Sequence, residues 1–214
     1  MPGVVPPRWR AAALLAALAF VPGAARATTV RQHLSIIQLL QDSEIIVRGR
    51  VASLTDGIDR RGIPYTEVTL QISEALKGQP GRTVSFRQFG LLAPKDMGDG
   101  RVNLMVTPAA WATYKKGEES IFFLRKPAAW TGLRTTAGLS QGQFRVTGAG
   151  VSNSVDNAGL FEKVVVDPGL LGDGEKRVMG TTRGPVNARS FTSLVKQAVA
   201  GKWVENGRMR HAEH

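Results

Sequence analysis

From Ile45 to Val51 the side chains alternate: Ile45, Val47, Gly49 and Val51 fall on one face and Arg48 and Arg50 on the other. That two-residue period belongs to a half-buried strand. The pattern predicts a strand over residues 44–54, with Ile45 through Ser53 facing inward at odd positions. Gly49 in its middle marks a bend or a close backbone approach, as at a barrel corner. Residues 65–76 alternate again, with Thr66, Val68, Leu70 and Ile72 inward and Glu67, Thr69, Gln71 and Ser73 outward. Residues 83–89 follow with Val84 and Phe86 inward, and a further strand is expected over residues 101–107. The run SIFFLR then reads as a compact apolar strand, and residues 133–137 and 143–147 as two arms of a hairpin. Short strands at turn-length intervals predict a mainly β fold, an all-β barrel or sandwich, with a small closed barrel as the simplest reading.

Two stretches carry helical spacing instead. Val30, Leu34, Ile37 and Leu40 predict an amphipathic helix within residues 30–41. Phe191, Leu194, Val195, Ala198 and Val199 predict another over residues 190–200, with Ser190 as N-cap and Gly201 as its stop. It is expected to pack back on the barrel, and residues from Lys202 onward to form a frayed polar tail. The expected organisation is a segment 1–27, a β-barrel domain with its leading helix over 28–150, and a C-terminal extension over 151–214.

The first segment bears on compartment. Arg8 and Arg10 precede the apolar run AAALLAALAFV, and a Pro-Gly break leads to Ala25-Arg26-Ala27. This is the three-part pattern of a secretory signal, with the cut expected after Ala27 and Thr28 as the mature N-terminus. Its removal lowers the formal charge from +11 to +8. Export to the periplasm or the extracellular space follows. The chain has no cysteine, so neither disulfides nor thiolate metal sites contribute. Its cations come in pairs such as Arg60/Arg61 and Lys115/Lys116, without a run of five. A basic exported protein meets anionic envelope polymers, lipopolysaccharide or acidic proteins rather than nucleic acid.

Catalytic patterns are incomplete. Gly138 to Gly142, GLSQG, matches the nucleophile motif of serine hydrolases, but that motif requires a helix after Ser140, and the sequence continues as the strand QFRVT. A hairpin turn is the expected reading, with a Ser140 hydrolase the least favoured alternative. His33, His211 and His214 are the only histidines, too few and too scattered for a catalytic metal. No cofactor, metal ligand set or catalytic residue is assigned.

Several of these residues together resemble a known pattern. They are Ser43 to Val47 with Gly49 and Val51, Tyr65-Thr66 with the strand ending in Leu76-Lys77-Gly78, Gly117-Glu118 before Ile121 to Leu124, and Gly138-Leu139 with Gln141-Gly142 and Phe144. In this the chain resembles an uncharacterised family of exported bacterial proteins. More distantly it is similar to the netrin-like module of tissue inhibitors of metalloproteinases, an OB-type barrel. The resemblance implies a non-catalytic binding module whose partner is an extracellular protein, with zinc peptidases as the class to test. In those inhibitors an N-terminal cysteine reaches the protease zinc. Here Thr28 and Thr29 would stand in its place, and Arg48 and Arg50 complete the expected binding residues. The competing expectation is an envelope-polymer or lipopolysaccharide binder that uses the basic surface.

Overall fold

Ser35 decides where the first helix begins. A computed structural model of the chain describes residues 33–212. In it the Ser35 hydroxyl accepts from the Gln38 backbone N–H at 3.3 Å, and the Gln38 side chain accepts from the Ser35 N–H at 2.9 Å. This capping box satisfies two helix-end donors. Helix α1 therefore runs Ile36–Asp42, later than the spacing from Val30 predicts. Leu34 stands outside it and donates its N–H to the Gln141 side chain at 3.0 Å; Val30 lies outside the described residues.

Three expected strands follow at nearly their expected bounds: β1 (Ile45–Ile58), β2 (Pro64–Lys77) and β3 (Thr83–Phe89). The loop after β3 carries only a two-residue pairing of β4 (Lys95–Asp96) with β5 (Val102–Asn103), and its Leu92, Leu104 and Met105 side chains point to solvent. Strand β6 (Glu119–Leu124) pairs with the first half of β1. A 3₁₀ turn at Leu139–Gly142 then leads into β7 (Gln143–Thr147), which turns into β8 (Gly150–Ser152). The hairpin partner of β7 is thus β8, not residues 133–137. Gly138 and Leu139 both adopt positive φ, so the chain turns by itself there without a strand on both sides.

These strands form one antiparallel sheet in the order β3-β2-β1-β6-β7-β8. The expected closed barrel is absent, because β3 and β8 stand at opposite edges of the ladder. One backbone bond crosses the gap, from Arg134 N–H to the Arg87 carbonyl of β3 at 2.8 Å. Residues 133–137 meanwhile follow the end of β6, through Arg125 N–H to the Thr135 carbonyl at 3.0 Å and Ala137 N–H to the Phe123 carbonyl at 2.7 Å.

The sheet is buried on both faces, so the single interior predicted by alternation becomes two. Val47, Val51, Val68, Leu70, Phe86, Phe122 and Leu124 pack into one cluster with Tyr114. Ile46, Ile121, Phe123 and Phe144 join a second, larger cluster with the helices. The register explains how β1 serves both. Its ladder with β2 shifts at Ile46/Val47, at Arg48/Gly49 and at Val51/Ser53, and such bulges bend and twist a strand. At the middle shift the β2 backbone comes so close that a Cβ on Gly49 would lie 2.6 Å from the Gln71 carbonyl oxygen. The close approach expected of this glycine is what it provides.

Beyond β8 the chain folds onto the helical side. Asn153 and Asn157 are buried and tie this turn together. The Asn153 amide donates to the Gln141 carbonyl at 3.1 Å, and the Asn157 amide to the carbonyls of Val151 and Gly184, each at 2.9 Å. Strand β9 (Val164–Val166) and helix α2 (Asp173–Met179), neither predicted as such, precede helix α3 (Ala188–Ala200). The α3 N-cap is Asn187, whose side chain accepts from the Ser190 N–H at 3.0 Å, so Ser190 lies inside the first turn. Phe191 stacks on Phe144 at 4.8 Å, which carries the expected packing of this helix against the sheet. As far as Ala212 the tail is ordered rather than frayed. Trp203 and Met209 are buried, and β10 (Met209–His211) pairs with β9. No helix of the described residues is long and apolar enough to cross a membrane.

Candidate binding site

Arg48 and Arg50 come together on one carboxylate. Arg48 Nη2 and Nε each lie 2.7 Å from Glu119 Oε1, and Arg50 Nη2 lies 3.2 Å from Oε2. Arg50 also donates to the Gly117 carbonyl at 2.7 Å. Arg50 sits directly across the ladder from Glu119 and Arg48 two positions away, so this is cross-strand charge pairing that contributes up to about 1 kcal/mol where it is partly exposed. Arg48 further lines a cleft of about 430 Å³ against α3, with Arg189, Thr192 and Lys196. There Glu74 holds Lys196 at 2.8 Å, so most of the charge in the cleft is already matched. Thr28 and Thr29 lie outside the described residues. Ser140 sits on the 3₁₀ turn ahead of β7 rather than at a strand-to-helix elbow, and its hydroxyl accepts from Ser154 at 2.8 Å.

A different concavity has charge left over. It has a volume of about 550 Å³ and opens where the end of β3 parts from residues 133–135, with Phe89, Trp111 and Leu133 as apolar walls and Arg125, Lys126 and Arg134 as cations. The local fold builds it from three segments. After β3, the Leu91 N–H donates to the Met105 carbonyl and the Thr107 N–H to the Leu91 carbonyl, at 3.0 and 2.9 Å. Gly90 makes room for this crossing, since a Cβ there would meet Thr107 Cα at 2.5 Å. The crossing brings Trp111 beside Phe89, ring centroids 6.1 Å apart.

Gln88 locks the floor. Its amide donates to the Ala112 carbonyl at 2.9 Å, and its carbonyl oxygen accepts from the Tyr114 and Thr135 hydroxyls at 3.1 and 3.4 Å. Burial raises the Tyr114 pKa, which keeps that phenol a donor. One buried amide thereby fixes β3, the 111–114 segment and the 133–135 segment against one another.

Arg134 is the unusual member. Its side chain is only 9% exposed, and its one carboxylate contact among the described residues is with Glu44. Burial pulls the guanidinium below its ordinary pKa, while Glu44 acts in the opposite direction. Its Nε is buried and has no hydrogen-bond partner among the described residues. A buried unpaired donor on a charged group is costly, of order 1–3 kcal/mol or more. Arg125 and Lys126, both exposed, have no ion-pair partner among the described residues. Asp42 is the one carboxylate on the wall among the described residues. The arrangement offers an aromatic, partly apolar slot with surplus positive charge, suited to an anion that also presents a nonpolar face.

Sequence reasoning passed over this site because its parts are far apart in the chain and ordinary one by one. The Arg125/Lys126 pair and Trp111 were the signals present. No protein-family model matches the chain, and no curated protein matches it.

Proposed function

We propose that the protein is a non-catalytic binding module for an anionic envelope polymer, held in the cavity between Phe89, Trp111 and Arg134. The observation that carries this reading is the surplus of cations on that wall, where Arg125 and Lys126 are exposed without an ion-pair partner among the described residues and Arg134 lies beside them. An acid group entering there would accept charge-assisted hydrogen bonds from these side chains and offset the surplus charge. The reading includes an OB-type origin for the sheet. What supports it is the segment 133–137, bonded on one side to β6 and touching β3 on the other through Arg134 and Arg87. In an OB-type barrel that segment and β7 would together be the closing strand, interrupted by the 3₁₀ turn, and the cavity would be the seam. The peptidase-partner reading rests on Thr28 and Thr29, and no contact among the described residues favours it.

The test is calorimetric titration with lipopolysaccharide, lipoteichoic acid and alginate at rising salt. Binding is expected at low ionic strength and should weaken steeply as salt screens the charges. Arg134→Gln and the surface double variant Arg125→Gln/Lys126→Gln should each reduce affinity about tenfold or more, roughly 1.4 kcal/mol. The double variant alters exposed side chains only, so its melting temperature serves as the folding control. Absence of binding to every probe, or full affinity in both variants, would end this reading.

A further inference from the structure

Trp130 has the greatest exposure of any large apolar side chain among the described residues, at 75%. It is nevertheless held firmly. Arg61, from the loop between β1 and β2, donates to the Trp130 carbonyl at 2.7 Å and to the Thr131 carbonyl at 3.2 Å. The same guanidinium lies 5.0 Å from the indole centroid, covering one face of the ring. Arg61 is in turn fixed by Asp59, which accepts its backbone N–H at 2.8 Å and its Nε at 3.1 Å. The Trp130 loop is closed by two short backbone bonds, Ala128 N–H to Leu133 at 2.8 Å and Gly132 N–H to Ala128 at 2.7 Å. Ala128 and Thr131 line the cavity just described, and Trp130, between them in sequence, is not itself a lining residue but belongs to the loop that borders it.

An exposed indole costs hydrophobic free energy, and ordering it costs entropy as well. Spending three side-chain contacts to hold it still makes sense if the uncovered face receives something. We infer that Trp130 is a preorganised stacking platform at the cavity rim and that the ligand is an acidic glycan. A pyranose ring lies on the open indole face while a neighbouring acid group reaches Arg134. This deepens the anion-binding reading and rests on it. The chemistry of the wall selects a sugar over other anions. A pyranose presents a flat patch of C–H groups that complements the negative face of an aromatic ring, and polyphosphate has no such patch. Thr131, Thr135 and Asp42 offer hydroxyl and carboxylate partners to sugar hydroxyls; an acyl chain would desolvate the Asp42 carboxylate and give it no partner. Preorganisation lowers the cost of binding.

The full chain is titrated with galacturonate and alginate hexamers, a neutral cellohexaose, polyphosphate and phosphatidylglycerol vesicles, following heat and tryptophan fluorescence. The uronate hexamers should bind and perturb the fluorescence, with cellohexaose much weaker. Trp130→Ala should lower uronate affinity at least tenfold without moving the melting temperature, Trp130→Phe should lower it less, and any polyphosphate binding should be unchanged by either. Unaltered uronate affinity in Trp130→Ala, or vesicle binding that depends on Trp130 while uronates fail, overturns the platform. If lipopolysaccharide still binds in an Arg134-dependent way and uronates do not, the glycan inference falls and the anion reading stands. Loss of all anion binding sinks both.

Discussion

Gly49 is the residue on which the β1–β2 ladder turns. A methyl group there would press on the Gln71 carbonyl at 2.6 Å and on Ile72 Cα at 3.3 Å, and neither backbone atom has a flexible end to move aside. Gly49→Ala is expected to cost about 1–3 kcal/mol through overpacking, read as a lower denaturation midpoint at unchanged slope. This role was legible in the sequence because a glycine between strand-forming neighbours has few other uses. The adjacent arginines were half legible. Alternation placed them opposite Val47 and Val51, but Glu119 is seventy positions away in effect and only the β1–β6 register shows them sharing it. Arg134 was not legible, since its meaning comes from being buried beside Glu44 and from lacking a partner at Nε. No local pattern encodes the absence of a partner.

At the scale of elements, alternation located β1, β2 and β3 because each is long enough to repeat its period several times. It failed where elements are brief or lean on distant partners. The Ser35-to-Gln38 spacing is a written capping box, and giving it weight over the apolar repeat would have set the helix start correctly. Ser35→Ala should remove that cap and cost about 1 kcal/mol, measurable by thermal denaturation. The three-residue strands β9 and β10 have too few positions to show any period. What orders the end of the chain is Trp203, 4% exposed, together with Met209 at 1%, both in the apolar cluster that also holds Leu160, Phe161 and the helices. A polar composition hid two anchors.

At the scale of the whole molecule, the Arg134 and Trp130 experiments depend on the cavity as a unit. Its walls come from β3, the 111–114 segment and the 125–135 segment, and Gln88 joins all three through bonds of 2.9 to 3.4 Å. Mainly β architecture followed from the number and spacing of strands, whereas closure did not, because alternation reports which side of a strand is dry and says nothing about which edges meet. A strand dry on both sides, such as β6, reads simply as an apolar run.

That same strand sets how the molecule comes apart. Ser120 to Leu124 are all fully buried, with Phe122 and Leu124 committed to one apolar cluster and Ile121 and Phe123 to the other. Releasing β6 would dismantle both clusters together, so its amide protons should exchange with deuterium only through global unfolding and rank among the slowest in the chain, while those of β4 and β5 exchange early. Fast exchange at Phe122 and Phe123 would mean that the two halves of the interior open independently of each other.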